Sequence, residues 1–207
     1  RNPGEAAGNG VDDDGNGYVD DVHGWNFPSD SNDPTDIPSG RGTMMAGIIG
    51  AATNNDEGIA GTSWGARIMP LKTLVLQQDE QGARAVGTVR DIVEAVCYAA
   101  NNGADIIVFG GYLRDPSNVD VAVQRLEQAV RFAYVERGAV LVAAAGDCGT
   151  PADYCPAQEY GGNPPIFPAA FDKWVIGAQS FGINYAERAA VSRGYWVDIS
   201  APGEGFY

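Results

Sequence analysis

Two short stretches, ADIIVF at residues 104–109 and AVLVAAA at residues 139–145, decide the fold together with the segment between them. Both are almost wholly apolar, which is typical of strands covered on both faces of a parallel sheet. Between them, apolar residues recur at helical spacing over residues 119–137 and predict an amphipathic helix that Gly138 ends. These positions are Val119, Val123, Leu126, Val130 and Ala133.

The same alternation of strand and helix continues on either side of this unit. Small residues at 43–49 predict a close-packed, buried helix, and residues 91–102 predict a second helix. Further strands are predicted at residues 22–27, 67–74, 174–178 and 195–200. We therefore predict one α/β domain over residues 1–207, with three layers (α/β/α) and a mainly parallel central sheet. Ligand sites in such sheets lie at the carboxyl ends of the strands.

The charge of the chain excludes several classes of partner. The 207 residues carry a formal net charge of -14, whereas nucleic-acid binding needs clustered Lys and Arg. No stretch is long and apolar enough for membrane insertion. Much of the acidic charge lies in the first 36 residues, which points to cation binding.

An acidic loop is the strongest local motif. The sequence DDDGNGYVD at residues 12–20 matches the start of an EF-hand-type loop, with Gly17 at the sharp turn and Val19 anchoring the loop on the core. We predict a Ca²⁺ site over residues 9–23. The expected ligands are Asp12, Asp14, Asn16, the Tyr18 carbonyl, Asp20 and Asp21.

The motif stops before its closing ligand, because His23 stands where a bidentate Glu belongs. The closing carboxylate is therefore either Asp21 or a residue from elsewhere in the chain. The alternative is an Asp/Asn/Gly turn cluster without an ion. That alternative leaves five acidic side chains within ten residues to repel one another.

The cysteines are consistent with an extracellular protein. Cys148 and Cys155 flank a short loop and are candidates for a disulfide, whereas Cys97 is predicted to be a buried thiol in a helix. We predict a secreted, extracellular or cell-surface location.

Eight segments carry a resemblance to a known family. They are NPGE (2–5), VHGWNF (22–27), GIAG (58–61), IMPLK (68–72), NGADII (102–107), VAAAG (142–146), FPA (167–169) and VDISAPG (197–203). In order and spacing they resemble the subtilisin-like serine peptidases. The resemblance implies a subtilisin-like fold and places the family's first strand and C-terminal helices outside this chain.

The resemblance also implies where catalytic groups belong. Arg41 stands at the position of the general-base His, and Arg cannot accept a proton near neutral pH. Asp147 stands at the position of the oxyanion-hole Asn, where a carboxylate repels the developing charge. Gly110, Gly111 and Tyr112 replace the family's Ser-Leu-Gly on the substrate-pairing strand.

These substitutions lead to the expectation that the chain is not an enzyme. It would then be a calcium-stabilised extracellular pseudopeptidase that serves as a structural or protein-binding module. Its exposed edges would bind a protein partner or further copies of itself. The alternative is a secreted serine endopeptidase whose nucleophile and other catalytic groups lie outside this segment.

Overall fold

The computed structural model describes residues 1–79, 82–113, 119–147, 165–182 and 191–203. The chain forms two units, Arg1–Ala95 and Val96–Tyr207. Among the described residues, every helix is too short or too polar to serve as a membrane-spanning segment. The two units are described separately below.

The first unit contains two small sheets and helical segments. Strand β1 (Trp25–Asn26) pairs in parallel with β2 (Leu71–Lys72), and β3 (Val75–Asp79) forms an antiparallel hairpin with β4 (Gly82–Val86). Helix α1 spans Arg41–Gly50, and helix α2 (Val89–Asn101) begins in this unit and continues into the second. The strands predicted at residues 22–27 and 67–74 are thus each only two residues long.

Helix α1 confirms the helix predicted at residues 43–49, but the prediction that it is buried is wrong. None of its residues is buried, and Met44 is 60% exposed. Its last glycine is nevertheless close to a neighbour, since a Cβ at Gly50 would stand 3.3 Å from the side chain of Ile68.

The second unit is built on one parallel sheet of four strands in the order β5-β6-β7-β8. Their ranges are Ile106–Phe109, Val140–Ala144, Val175–Phe181 and Ile199–Pro202. Helix α3 (Val119–Arg131) continues into a π-helical turn, Phe132–Glu136, so the helix predicted over residues 119–137 changes its winding in its last part. This arrangement confirms the predicted α/β fold with a parallel sheet.

One face of this sheet is closely packed. Leu141 and Ala143 of β6 and Val175 of β7 are buried, and β6 contacts the π-helical turn. In α3, the apolar positions Leu126 and Val130 are fully buried, as the helical spacing predicts. The amphipathic helix therefore has the role that its sequence pattern indicates.

The opposite face of the sheet carries exposed apolar residues, so the prediction that the strand at residues 104–109 is buried is wrong. Strand register places five large apolar residues on this face. They are Ile106 (62% exposed), Val108 (44%), Val140 (37%), Ile176 (37%) and Ile199 (50%). The described residues of this unit cover only the other face. Whether a protein partner covers this face stays a prediction.

At Gly177, strand β7 packs closely against the segment that leads into β8. A Cβ at this position would collide with the backbone carbonyl of Trp196, while the Gly177 N–H donates to Asp198 Oδ2 at 2.7 Å. We expect Gly177→Ala to lower the free energy of unfolding by about 1–3 kcal/mol because the backbone must shift. Urea unfolding measures this change.

The matched control is Gly47→Ala. Gly47 lies within α1, and an added Cβ would meet only Ile59 Cδ1 at 3.9 Å, an ordinary van der Waals contact. The control should not lower the free energy of unfolding, because alanine is a better helix former than glycine. Equal losses in both variants would contradict the packing explanation.

Candidate functional site

Three carboxylates converge at the acidic loop. The side chains of Glu5, Asp12 and Asp14 each place one oxygen so that these atoms lie within 4.8 Å of one another. Asp12 and Asp14 are predicted ligands, whereas Glu5 was missed. Its only sequence signal is that the loop lacks a closing carboxylate of its own.

The loop is shaped by its own carboxylates. Asp12 Oδ1 accepts from the Asn16 N–H at 3.1 Å, and Asp12 Oδ2 accepts from the Gly17 N–H at 2.8 Å. Asp14 Oδ1 accepts from the same Asn16 N–H at 3.1 Å. Gly17 has a φ of 96°, which favours glycine at the turn.

Glu5 is buried beside this loop with one oxygen unsatisfied. The residue is 5% exposed, and its Oε1 accepts from the N–H groups of Asp13 (2.9 Å) and Asp14 (3.3 Å). Its Oε2 is buried and has no hydrogen-bond partner among the described residues. A buried carboxylate oxygen without a partner is costly, and a cation relieves that cost. Because Ca²⁺ prefers carboxylate oxygens, the residues present fit a calcium ion.

Two of the other predicted ligands, Asp20 and Asp21, do not belong to this cluster of three carboxylates, whereas the Asn16 side-chain amide donates to Asp14 Oδ2 at 3.3 Å. Asp20 accepts from the N–H groups of Asn9 (3.0 Å) and Gly10 (2.9 Å) and so holds the turn before the loop. Asp21 is fully buried and accepts from the side-chain amides of Asn2 (2.6 Å) and Asn16 (2.8 Å). Their role as metal ligands stays a prediction.

Tyr18, rather than Val19, anchors the loop on the core. The Tyr18 ring packs edge-on against Trp25 at 5.1 Å and Phe27 at 6.0 Å between centroids, whereas Val19 is 43% exposed. The predicted anchor was therefore wrong by one residue. An aromatic ring contributes more buried area to such a contact than a valine does. The ligand role of the Tyr18 carbonyl stays a prediction.

A second group of predicted site residues lies at the carboxyl edge of the parallel sheet. Strand β5 is followed directly by Gly110, Gly111 and Tyr112. Asp147 lies three residues beyond Ala144, the last residue of β6. Because β5 and β6 are parallel neighbours, both segments leave the sheet at the same edge. The sequence analysis therefore identified residues that the topology brings to one edge.

Both segments at this edge are held by hydrogen bonds that backbone carbonyls accept. The Leu113 N–H donates to the Phe167 carbonyl at 3.0 Å. After β6, the Ala145 carbonyl accepts from Trp196 Nε1 at 3.2 Å, and the Gly146 carbonyl accepts from the Ser192 N–H at 2.9 Å. Asp147 follows these fixed residues and is exposed. Its position is therefore set by the contacts of the two residues before it.

Arg41 lies in the first unit and is the exposed first residue of α1. The start of this helix is held by Asp36, whose Oδ2 accepts from the Thr43 N–H (2.8 Å) and from the Thr43 hydroxyl (2.9 Å). Asp36 Oδ1 accepts from the Ile37 N–H at 2.8 Å. Asp36 thus acts as the cap that Gly40, the residue before the helix, cannot supply.

The cysteine predictions are largely untested. Cys148 and Cys155 lie outside the described residues. Cys97 is half-buried on α2 instead of fully buried as predicted.

An α/β protein with a parallel sheet, glycine-rich segments at its carboxyl edge and the eight family segments has the architecture of a subtilisin-like serine peptidase domain. The model of the subtilase family matches residues 5–206, and the chain belongs to this family.

Known relatives agree with this assignment. The chain is 34% identical over 184 residues to the thermophilic serine proteinase of Bacillus sp. (strain AK1), covering 88% of this chain and 38% of the relative. It is also 34% identical over 188 residues to thermitase of Thermoactinomyces vulgaris, covering 90% of this chain and 57% of thermitase. The crystal structure of MycP1 without its N-terminal propeptide superposes with a TM-score of 0.61 and 27% identity. That match covers 81% of this chain and 54% of MycP1.

These findings correct the expectation that the chain is not an enzyme. Its relatives are named as serine proteinases, and the family match runs through nearly the whole chain. Substitutions at two positions were therefore too little on which to assign the chain to a non-catalytic class. The chain spans 38% and 57% of the two sequence relatives.

The cap at Asp36 makes a prediction about acid stability. Partial burial acts to raise the pKa of Asp36, but hydrogen bonds from Thr43, Ile37 and Gly42 outweigh it and hold the pKa below 3.8. Since the folded-state pKa is depressed, the stabilisation is complete well above pH 3.8 and is lost as the pH falls through the lower, folded-state value. We expect Asp36→Ala to lower the free energy of unfolding at pH 6 by about 1 kcal/mol.

The measurement is urea unfolding of the wild type and Asp36→Ala at several pH values from 6 down to 2.5. The free energy of unfolding of the wild type should exceed that of Asp36→Ala by a smaller amount below pH 3.8, because protonation of Asp36 removes the ionised cap. The exposed Glu57→Ala removes a carboxylate that does not cap α1, and as the control it should change the free energy of unfolding by no more than about 0.5 kcal/mol across this pH range. A difference for Asp36→Ala that stays constant down to pH 2.5 would contradict the role of the ionised cap.

Proposed function

We propose that this chain is part of a secreted subtilisin-like serine endopeptidase and that it supplies the peptide-binding edge and a structural calcium site. The observation that carries the proposal is the subtilase match over residues 5–206. The geometry supports it, because two of the segments that the family resemblance assigns to substrate and oxyanion binding lie at one edge of the sheet.

The segment after β5 suits an extended peptide. Gly110 and Gly111 carry no side chains, so a substrate backbone can approach this segment closely. The Leu113 N–H is bonded to the Phe167 carbonyl, which fixes the far end of the segment. Strand addition of this kind takes its affinity from main-chain hydrogen bonds. The half-buried Tyr112 beside the glycines then limits which side chains fit.

The chemical groups for bond cleavage come, in this proposal, from outside residues 1–207. A serine nucleophile needs a proton acceptor, and Arg41 cannot be that group. The sequence holds a single histidine, His23, which is exposed beside the acidic loop. It also lacks the family's Gly-Thr-Ser-Met-Ala motif. This chain's own part is to bind and orient the peptide, since correct placement of the reacting groups contributes much of the rate.

The calcium part of the proposal rests on the cluster of Glu5, Asp12 and Asp14. When bound, the ion stabilises the folded loop and takes no part in peptide cleavage. Extracellular modules bind calcium with dissociation constants of about 10⁻⁴–10⁻³ M, which suits a secreted protein whose site is partly open.

Labelling with a fluorophosphonate probe tests the peptidase proposal. The full-length native protein should form a covalent adduct on a serine outside residues 1–207, located by peptide mass spectrometry, because only a base-activated serine reacts. A known active subtilisin is the positive control. Absence of labelling under conditions that label this control would overturn the proposal.

The variant Arg41→His sharpens this test. If the proton acceptor is supplied from elsewhere, the labelling rate should stay close to that of the wild type. A rise of about 10²-fold or more, the contribution of a positioned base, would show that residue 41 occupies the base position and that the native chain lacks that base. That result would refute the externally supplied acceptor.

Calcium removal tests the metal part separately. With calcium at about 100 times its dissociation constant, binding stabilises the fold by about 2.7 kcal/mol. For a protein of this size, that corresponds to roughly 5–10 °C in Tm. Calorimetry in CaCl₂ and in EDTA should show this difference for the wild type and lose it for the double variant Asp12→Asn, Asp14→Asn. An unchanged Tm in EDTA would rule out a structural calcium ion.

A further inference from the structure

The N-terminal segment, residues 2–6, is hydrogen-bonded directly to the acidic loop and the residues that follow it. The Asn2 N–H donates to the Val22 carbonyl at 2.7 Å, and the Asn2 side-chain amide donates to Asp14 Oδ2 (2.9 Å) and Asp21 Oδ1 (2.6 Å). The Ala6 N–H donates to Asp13 Oδ2 at 3.0 Å. Most of these acceptors are carboxylates, so the loop's charge faces the segment.

The backbone of the segment lies in close contact with the loop at Gly4. A Cβ at this position would stand 2.7 Å from Asp14 Cβ and 2.9 Å from Asp14 Oδ2. Only glycine fits here without displacing the loop. The segment and the loop therefore pack as one surface, and movement of either one disturbs the other.

Glu5 lies at the centre of this contact and belongs to the segment rather than to the loop. Its Oε1 is used by the N–H groups of Asp13 and Asp14, whereas its Oε2 is buried without a partner among the described residues. That side chain shares the cluster with Asp12 and Asp14. Three carboxylates so close together repel one another, and Glu5, at 5% exposure, gains little relief from water.

We infer that Glu5 supplies the closing carboxylate of the calcium site, so that the ion joins the N-terminal segment to the acidic loop. This inference rests on the proposed calcium role and adds a regulatory property to it. The loop lacks a closing Glu of its own, and the residue that replaces it comes from a segment that is bound mainly by hydrogen bonds to carboxylates. Calcium binding then controls whether residues 2–6 stay docked. Without the ion, repulsion within the cluster acts to release them.

Hydrogen exchange of the intact wild-type protein tests this coupling without any substitution. The N–H groups of Asn2 and Ala6, which donate to Val22 and Asp13, report on docking. We expect their exchange to become about tenfold faster or more when EDTA replaces saturating CaCl₂. The amides of α3 serve as an internal reference in the second unit and should change much less.

The variant Glu5→Gln distinguishes a role of Glu5 as a calcium ligand from a role in holding the folded loop. Glutamine keeps the oxygen that accepts from Asp13 and Asp14 but removes the negative charge. Isothermal titration with CaCl₂ should show affinity weakened about tenfold or more, since ligand charge sets affinity in such loops. The exposed Glu57→Gln removes the same charge away from the cluster and should bind calcium as the wild type does.

The outcomes separate this inference from the proposal on which it rests. If Asp12→Asn loses calcium binding while Glu5→Gln keeps it, the loop binds calcium without Glu5 and the inference is wrong, although the calcium proposal stands. If the wild type binds no calcium, both fail. Calcium binding with unchanged exchange of residues 2–6 would overturn the coupling alone.

Discussion

Parallel pairing of β5 with β6 is the constraint on which the second unit depends. Two neighbouring strands that run in the same direction need a crossover, and here α3 and its π-helical turn provide it. The crossover covers one face of the sheet and buries Leu126 and Val130. The same pairing brings the segments after both strands to one edge, so the fold's topology, rather than any local motif, assembles the candidate peptide-binding edge.

The acidic loop is stabilised by hydrogen bonds to charged carboxylates rather than by strand pairing. Its shape comes from carboxylates that accept backbone N–H groups, as Asp12 does from Asn16 and Gly17. Such bonds use oxygens that a cation would otherwise share, and the carboxylates still repel one another. The cost of this repulsion is greatest at Glu5, whose buried Oε2 has no hydrogen-bond partner among the described residues. The two candidate sites are thus held together differently. Neutral hydrogen bonds to backbone carbonyls hold the edge, whereas hydrogen bonds to charged carboxylates hold the loop.

Much of the fold could be predicted from the sequence because its periodicity is strong. The spacing of Leu126 and Val130 predicted α3, and the apolar run at residues 139–145 predicted β6, since both patterns reflect burial against a neighbour. The β3–β4 hairpin was missed, because residues 75–78 of β3 are exposed and the sequence VLQQD of that strand shows no apolar alternation. Glu5 could not be assigned either, since the contact with Asp12 exists only once the chain has folded back. Assigning Arg41 and Asp147 to catalytic positions from the resemblance led to the wrong class of protein, because two substitutions do not decide whether a whole chain is catalytic.

The exposed apolar face of the parallel sheet also has a consequence for biosynthesis. Parallel strands form late in folding, because each pair joins residues that are far apart in sequence. Other nascent chains can then contact Ile106, Val108 and Ile199, which stay exposed in the folded chain as well. Their β-branched side chains favour intermolecular strand association. The yield of soluble protein should therefore depend steeply on the rate of synthesis and on chaperone supply, more than on the intrinsic stability of the finished fold.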